Sequence, residues 1–279
     1  MQSPDLKRQH QNRKGSKMKV SEPSDAKTSR NITSANSSSH SIQSAVSLPF
    51  TVNIVRTEEH LRKAVAIRAE SYGRHHPEVA ELLRSAEPAD RSMFSLVLLA
   101  ESKQDGSALG TLRIETNANG SLPAENLIPP DSPCRGRTLA FVTRLAVAGG
   151  KESSLVKLAL FKALHRYCLA CQIDWILVTA RPPMDRQYKR LGFSEAYDSE
   201  TYVPISWSGN IEMRIMTLDV VACERNWRKI EHPLYQFMFL DYCADIRIFK
   251  SVSGIWNTPR TRSSPPSAAY LDRILADHD

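Results

Sequence analysis

Gly149-Gly150-Lys151 interrupts a strand-like run just ahead of a long helical stretch. Glycines admit close backbone approach, the first amides of a helix lack intrahelical partners, and the lysine adds positive charge. Those residue types in that order suit an anionic group. The run before the break is Leu139-Ala140-Phe141-Val142-Thr143-Arg144-Leu145-Ala146-Val147, which carries Thr143 and Arg144 through an apolar segment. The stretch after it, Ser154 to Cys171, has an apolar stripe through Leu155, Leu158, Ala159, Lys162, Leu164, Tyr167 and Leu169. A second strand follows, Trp175 to Ala180. Pro182-Pro183 then starts a short helix containing Tyr188-Lys189-Arg190-Leu191-Gly192-Phe193.

The other chemistry-bearing type is cysteine. Cys134, Cys168, Cys171, Cys223 and Cys243 make an odd count without framework spacing. Cys168-x-x-Cys171 falls on the apolar helix with no second ligand pair at a standard spacing, so the sequence assigns no metal. Packed, reduced thiols are the expectation. The cysteines lie outside the other motifs, and no nucleophile arrangement for a covalent intermediate is visible.

Upstream elements must position these residues. Thr51 to Arg56 alternates as a first strand, and Thr57 reads as the N-cap of a helix with Leu61, Ala64, Val65, Ile67 and Arg68 at helical spacing, ending about Tyr72-Gly73. His76-Pro77 starts a short helix, and Glu87-Pro88-Ala89-Asp90 is a turn. Phe94 to Ala100 is a buried strand, Asp105-Gly106 a hairpin signal, and Leu109 to Thr116 the next strand, with Thr111, Arg113 and Glu115 on one face. Residues 117–137 form a long irregular connection, either a lid beside the cleft or a disordered insertion. Thr201 to Ile205 and Ile211 to Val220 are closing strands around Ser208-Gly209-Asn210. An extension with Trp227 follows, then a helix from His232-Pro233 rich in Phe and Met.

Residues 1–30 hold eight Lys or Arg against three Asp or Glu, a net of +5 out of the chain's +7. The basic character is therefore mostly a property of the N-terminal segment, which argues against a specific nucleic-acid partner for the globular part. Residues 1–49 read as a disordered basic tail, with 50–257 as one domain, a helical extension at about 221–250, and 258–279 as a flexible tail. The tail lacks the apolar run of a secretory signal, and Asp5, Glu22 and Asp25 argue against a transit peptide. No run approaches the roughly 18 apolar residues of a membrane span. The expectation is a cytoplasmic protein, with weak contact of the tail to anionic lipid or an acidic carrier protein as a further one.

Strand, helix, strand and Tyr-x-x-x-Gly-Phe together resemble the donor-binding half of the GNAT acyltransferase fold. Thr143-Arg144-Leu145-Ala146-Val147 is similar to the FeeM-type N-acyl amino acid synthases and, more distantly, to acyl-homoserine-lactone synthases. The resemblance covers about residues 52–250. It implies an α/β (α+β) class: a mixed, twisted sheet with helices on both faces, splayed between its fourth and fifth strands. An acyl-phosphopantetheine donor, on acyl carrier protein or as acyl-CoA, would pair with the opened edges, Leu145 to Ala148 and Ile176 to Ala180. No permanently bound cofactor is implied. Gly149, Gly150 and Lys151 would face the donor phosphate, with Leu145 and Val147 on the donor edge and a main-chain amide near Leu145 at the oxyanion. Tyr188 matches the position whose phenol protonates the leaving thiolate. Arg144 and Thr143 match the Arg and Ser/Thr of the family's E-x-S/T-R pattern, with Asp90 a candidate partner for Arg144. Arg68, Asp90 and Arg113 match polar positions of the same site.

Two departures accompany the resemblance. The turn Ala148-Gly149-Gly150-Lys151-Glu152-Ser153 lacks the R/Q-x-x-G-x-G/A of acetyl-CoA enzymes, which favours a carrier protein with its single phosphate. Phe141 stands where the family has its glutamate, so Glu115 on the neighbouring strand, or ordered water, would take the proton of the attacking amine. The expected activity is transfer of a fatty acyl group to the α-amino group of an amino acid. The alternatives are a homoserine-lactone-type signal synthase and a catalytically weak module that binds acyl carrier protein or an acyl ligand. The helix from His232 would either line an acyl channel or cap the core.

Overall fold

The computed structural model describes residues 45–74, 77–118, 120–197, 201–205, 211–249 and 262–263. In chain order the elements are β1 (Ala45–Val46), β2 (Phe50–Ile54), α1 (Glu58–Gly73), α2 (Pro77–Leu82), β3 (Ser95–Ser102), β4 (Ala108–Thr116), β5 (Leu139–Val147), α3 (Ser153–Ala170), β6 (Trp175–Ala180) and α4 (Met184–Arg190). They continue as β7 (Ser194–Glu195), β8 (Val203–Ile205), β9 (Ile211–Asp219), α5 (Val220–Lys229), β10 (Tyr242–Cys243), β11 (Ile246–Arg247) and β12 (Arg262–Ser263). The main sheet runs β11-β2-β3-β4-β5-β6-β9-β7, with β8 paired to β9.

Local chemistry fixes the boundaries. Thr57 caps α1, its hydroxyl accepting from the His60 amide at 3.2 Å. Gly106, at φ 70°, closes the β3–β4 hairpin. Asp219 ends β9 and caps α5 by accepting from the Ala222 amide at 2.8 Å. The strand expected through Val220 thus stops one residue sooner, and α5 opens the helical extension expected from about residue 221.

Alternation divides the sheet into two faces. On one, Leu98, Ala100, Leu112, Ile114, Ala140, Val142, Ile176, Val178 and Met216 form the main core with α3, Tyr188 and Trp227. Gly110 lets α3 approach, since a Cβ there would stand 2.7 Å from Val156 Cγ1. On the other face, Val97 and Leu99 pack against Ala64 of α1. Further along, Phe141, Leu177 and Ile215 pack under Ala124, Leu127, Ile128 and Cys134. Residues 120–137 thus pack as a cover over Phe141 rather than lying as a disordered insertion. Tyr197 fastens it by donating to the Leu127 carbonyl at 2.9 Å. Helices therefore lie on both faces, α3 on one and α1 on the other.

The β5–β6 pair is parallel and short. Leu139 to Val142 pair with Trp175 to Val178, and β5 then continues to Val147 beside β4 alone. The sheet therefore splays between the fourth and fifth strands counted from β2, the arrangement of the GNAT acyltransferase fold. Two expectations need correction. Ile176 to Val178 are paired on both sides, by β5 and β9, so the open inner edge of β6 is only Thr179 and Ala180. The segment after His232 carries a π-helical turn, Gln236–Leu240, in place of a regular helix, and its Phe237 and Met238 pack into the main core, as the core-capping alternative expected. The Asp241 amide donates to the Gln236 carbonyl at 2.9 Å, which leaves the Phe237 carbonyl to buried Lys162, whose Nζ donates to it and to the Asp241 carbonyl.

The folded region also starts earlier than residue 50. Val46 and Leu48 are buried in the core, and β1 pairs with β10 and with β12, so Arg262–Ser263 of the expected C-terminal tail is strand. The rest of both expected tails, and the turn expected at Ser208-Gly209-Asn210, lie outside the described residues.

Candidate active site

Where the strands part, β5 carries a bulge. Thr111 opposes Ala146 and Arg113 opposes Thr143, so Leu112 alone faces both Arg144 and Leu145. Arg144 adopts φ 56°, a left-handed conformation that costs a non-glycine residue on the order of 1 kcal/mol or more. An ion pair holds it there. Arg144 Nε and Nη2 meet Glu87 Oε2 and Oε1, both at 2.6 Å. The partner of Arg144 is therefore Glu87, and the expected pairing with Asp90 is wrong. Asp90 instead accepts from Arg68 Nη1 at 2.7 and 2.9 Å and from Arg113 Nη1 at 3.2 Å.

The two carboxylates are locked together by a turn of 3-10 helix at Pro88–Arg91. Asp90 accepts from the Glu87 amide at 2.9 Å, a capping arrangement that fixes both heads toward α1 and β5. Arg113 bridges to Glu87 at 2.9 Å and, through Nε, to Glu115 at 3.0 Å and the Thr143 hydroxyl at 3.2 Å. Three arginines thus meet three carboxylates. The Asp90 and Arg68 side chains are 0% and 1% exposed, so this cluster is far from an ordinary surface ion pair. Burial alone would raise the Glu87 carboxyl, but Arg144 and Arg113 outweigh it and hold the group at about 2. Arg68 Nε and Nη2 have no hydrogen-bond partner among the described residues.

Glu115 stands directly opposite Phe141 in the β4–β5 ladder, on the same face as Arg113 and Thr143. The expected substitute carboxylate therefore lies beside the residue it would replace. Phe141 itself is buried under the 120–137 cover.

Tyr188 is a buried residue of α4, in the core formed with α3. It packs edge-on to Phe161, with ring centroids at 5.7 Å, and against Phe193 at 5.2 Å. Gly192 takes φ 87°, and a Cβ there would lie 2.8 Å from Trp227 Nε1, so the Gly of Tyr-x-x-x-Gly-Phe is required twice over. Burial pushes the Tyr188 phenol well above its ordinary value and keeps it protonated. Sequence reasoning passed over Tyr72. It lies one turn after Arg68 on α1 and is near enough to feel Arg144, Glu87 and Arg113 on one side and Tyr188 on the other. Burial raises its phenol too. Its spacing from Arg68, four residues on the same helix face, was the available signal.

Gly149, Gly150 and Lys151 form the turn between β5 and α3, where Gly150 takes φ 128°. The structure thus gathers Arg68, Asp90, Arg113, Glu115, Thr143 and Arg144 into one hydrogen-bonded cluster and adds Glu87. Leu145, Val147, Gly149, Gly150 and Lys151 run along the opened edge. No group of three or more His, Cys, Asp or Glu suited to a metal ion occurs among the described residues. Cys134, Cys168, Cys223 and Cys243 are buried, and burial raises the Cys168, Cys223 and Cys243 thiols.

A mixed sheet that splays between β5 and β6, with a bulge on β5 at the splay, is the architecture of the GNAT acyltransferases. The family model described as N-acyl amino acid synthase FeeM matches residues 63–208, just over half of the chain, and the protein belongs to that family of N-acyltransferases. Among solved structures, it is similar to FeeM, an N-acyl amino acid synthase from uncultured soil microbes. The identity is 17% over 68% of this chain and 97% of that one, with a TM-score of 0.48. It is also similar to BjaI, a CoA-dependent acyl-homoserine lactone synthase solved with SAM and isopentyl-CoA, at 14% identity over 81% and 98% and a TM-score of 0.47. A GNAT-family acetyltransferase from Staphylococcus aureus matches at 13% identity over 61% and 99%, with a TM-score of 0.42. No curated protein matches the chain. No helix among the described residues is long and apolar enough to cross a membrane.

Proposed function

We propose that the protein transfers a fatty acyl group from the phosphopantetheine thioester of acyl carrier protein to the α-amino group of an amino acid. The observation that carries this reading is the splay itself. Beyond Val142, β5 has a strand partner on one side only, and the bulge takes Arg144 and Leu145 out of register there. A pantetheine chain, with its amides, can add to that edge as a short strand. The thioester would then lie between the bulge and Tyr188.

The acceptor amine attacks the thioester carbonyl directly, forming the C–N bond. Charge developing on the carbonyl oxygen is met by a main-chain amide at the bulge near Leu145. Collapse breaks the C–S bond, and Tyr188 gives its proton to the leaving thiolate. The proton released from the amine passes to Glu115, directly or through water. Arg113, Thr143 and Arg144, held by Glu87 and Asp90, form the polar wall against which the amino acid is oriented, and buried Arg68 anchors that wall from behind through Asp90. Gly149, Gly150 and Lys151 face the donor phosphate. The sparse turn supports a carrier-protein donor over CoA, whose extra phosphates would lack partners there.

The test is mass spectrometry of lipid extracts from a bacterial host expressing the chain, beside a Tyr188→Phe control. New N-acyl amino acids that depend on Tyr188 are expected. Acyl-homoserine lactones instead would move the acceptor to a different class. Soluble, folded protein giving neither would leave a binding module and overturn the proposal.

A further inference from the structure

Arg74 lies just beyond the C-terminus of α1, and its Nη2 donates to the Val147 carbonyl at 2.8 Å. The direction of that carbonyl follows from its peptide. The Ala148 amide donates to the Leu109 carbonyl at 2.9 Å, across the β4–β5 ladder. In a trans peptide the carbonyl points opposite to the amide that follows it. The Val147 carbonyl therefore points away from β4, over the opened edge, where β5 has no partner from β6. Arg74 occupies the acceptor that an incoming strand-like ligand would use.

The guanidinium also lies against the start of the anion-suited turn. A Cβ at Gly149 would stand 3.2 Å from Arg74 Nη1, so glycine at this position leaves room for the arginine. Arg74 is weakly held. Its side chain is 38% exposed, and the ion pair with Glu70 is long, at 3.5 Å, with Glu70 67% exposed. One bond to a neutral carbonyl and one loose ion pair leave a five-donor fork ready to exchange partners. The turn beyond carries no arginine or glutamine of its own, and Glu152 at the head of α3 makes no side-chain cap bond.

We propose that Arg74 is a donor-responsive latch. It covers the Val147 carbonyl while the edge is free. When acyl-phosphopantetheine arrives, it yields that carbonyl to a pantetheine amide and turns its guanidinium to the donor phosphate. The inference rests on the reading that the donor enters the splay. It adds that the arginine missing from the β5–α3 turn is supplied from the end of α1.

Calorimetric titration of the full chain with 4′-phosphopantetheine and with pantetheine, which lacks the phosphate, tests it. The intact chain should bind the phosphorylated ligand at least about tenfold more tightly, roughly 1.4 kcal/mol. Arg74→Gln should cut that ratio to about a third or less, Lys151 keeping the remainder, while binding pantetheine as well as or better than the intact chain, because the edge is no longer covered. Arg74→Lys should keep part of the ratio. An unchanged melting temperature in both variants establishes that they fold. A ratio preserved in Arg74→Gln, or no ratio in the intact chain, overturns the latch and leaves the donor reading standing. An intact chain that binds neither ligand overturns the donor reading and the latch with it.

Discussion

Replacing Glu87 with glutamine keeps the shape of the side chain and removes the charge that Arg144 and Arg113 share. The carboxyl titrates at about 2 in the fold against an ordinary 4.5, a difference of about 2.5 units. At roughly 1.4 kcal/mol per unit, the ionised group stabilises the fold by about 3 kcal/mol at neutral pH. Its side chain is 25% exposed, so water screens it only in part. The sign follows from the depressed value. The contribution is fully present above about pH 4.5, fades as pH falls, and is lost near pH 2. Urea denaturation of the intact chain and Glu87→Gln, at pH steps from 7 to 3, should give a gap of about 3 kcal/mol at pH 7. By pH 3 the gap should shrink to less than half, because the unfolded chain, its carboxyl at the ordinary value of 4.5, has by then taken up the proton while the folded carboxyl is still mostly ionised. For a folded region of this size the neutral-pH gap corresponds to about 6–12 °C of melting temperature. A gap below about 0.5 kcal/mol, or one that does not change with pH, would refute the reasoning that Glu87 anchors the arginine cluster.

Tyr188→Phe should keep the melting temperature within a few degrees, since the ring contacts remain, and lower acyl-transfer turnover by about 100-fold or more. With the phenol raised by burial, the intact enzyme should show no loss of rate from tyrosine ionisation below about pH 10 in its pH–rate profile. Gly192→Ala places a Cβ against Trp227 at positive φ and should cost more than about 2 kcal/mol in urea denaturation. Lys162→Met removes the donor to the Phe237 and Asp241 carbonyls and should cost about 1–3 kcal/mol, with faster exchange of the 236–241 amides.

Much of this was readable from periodicity. The β5–α3–β6 order, the Thr57 cap and the Asp105-Gly106 hairpin are local patterns, and tertiary packing agreed with them. Arg68, Asp90, Arg113, Thr143 and Arg144 were singled out as a set, and they do meet. Their pairing was not legible. Glu87-Pro88-Ala89-Asp90 reads as a turn, and only the 3-10 geometry shows that it aims two carboxylates, with Glu87 rather than Asp90 taking Arg144. The bulge is a matter of register between two strands, so no single segment announces it. Tyr72 and Arg74 looked like the fraying end of a helix, because their partners lie on β5 and α4. The π-helical turn depends on Lys162, some 75 residues earlier in the chain, and its apolar residues alone suggest an ordinary helix.

The half-paired strand β5 also makes the molecule its own reporter. From Leu139 to Val142 the strand has neighbours on both sides, whereas from Thr143 onward one row of backbone amides faces the gap. Deuterium should therefore enter one short stretch of chain at two very different speeds. A molecule that lies down in the gap as an extra strand would slow the fast row and leave the slow row alone. Docking of the proposed donor can then be followed amide by amide, before any bond is made or broken, without a fluorescent tag and without knowing which acyl chain the protein prefers.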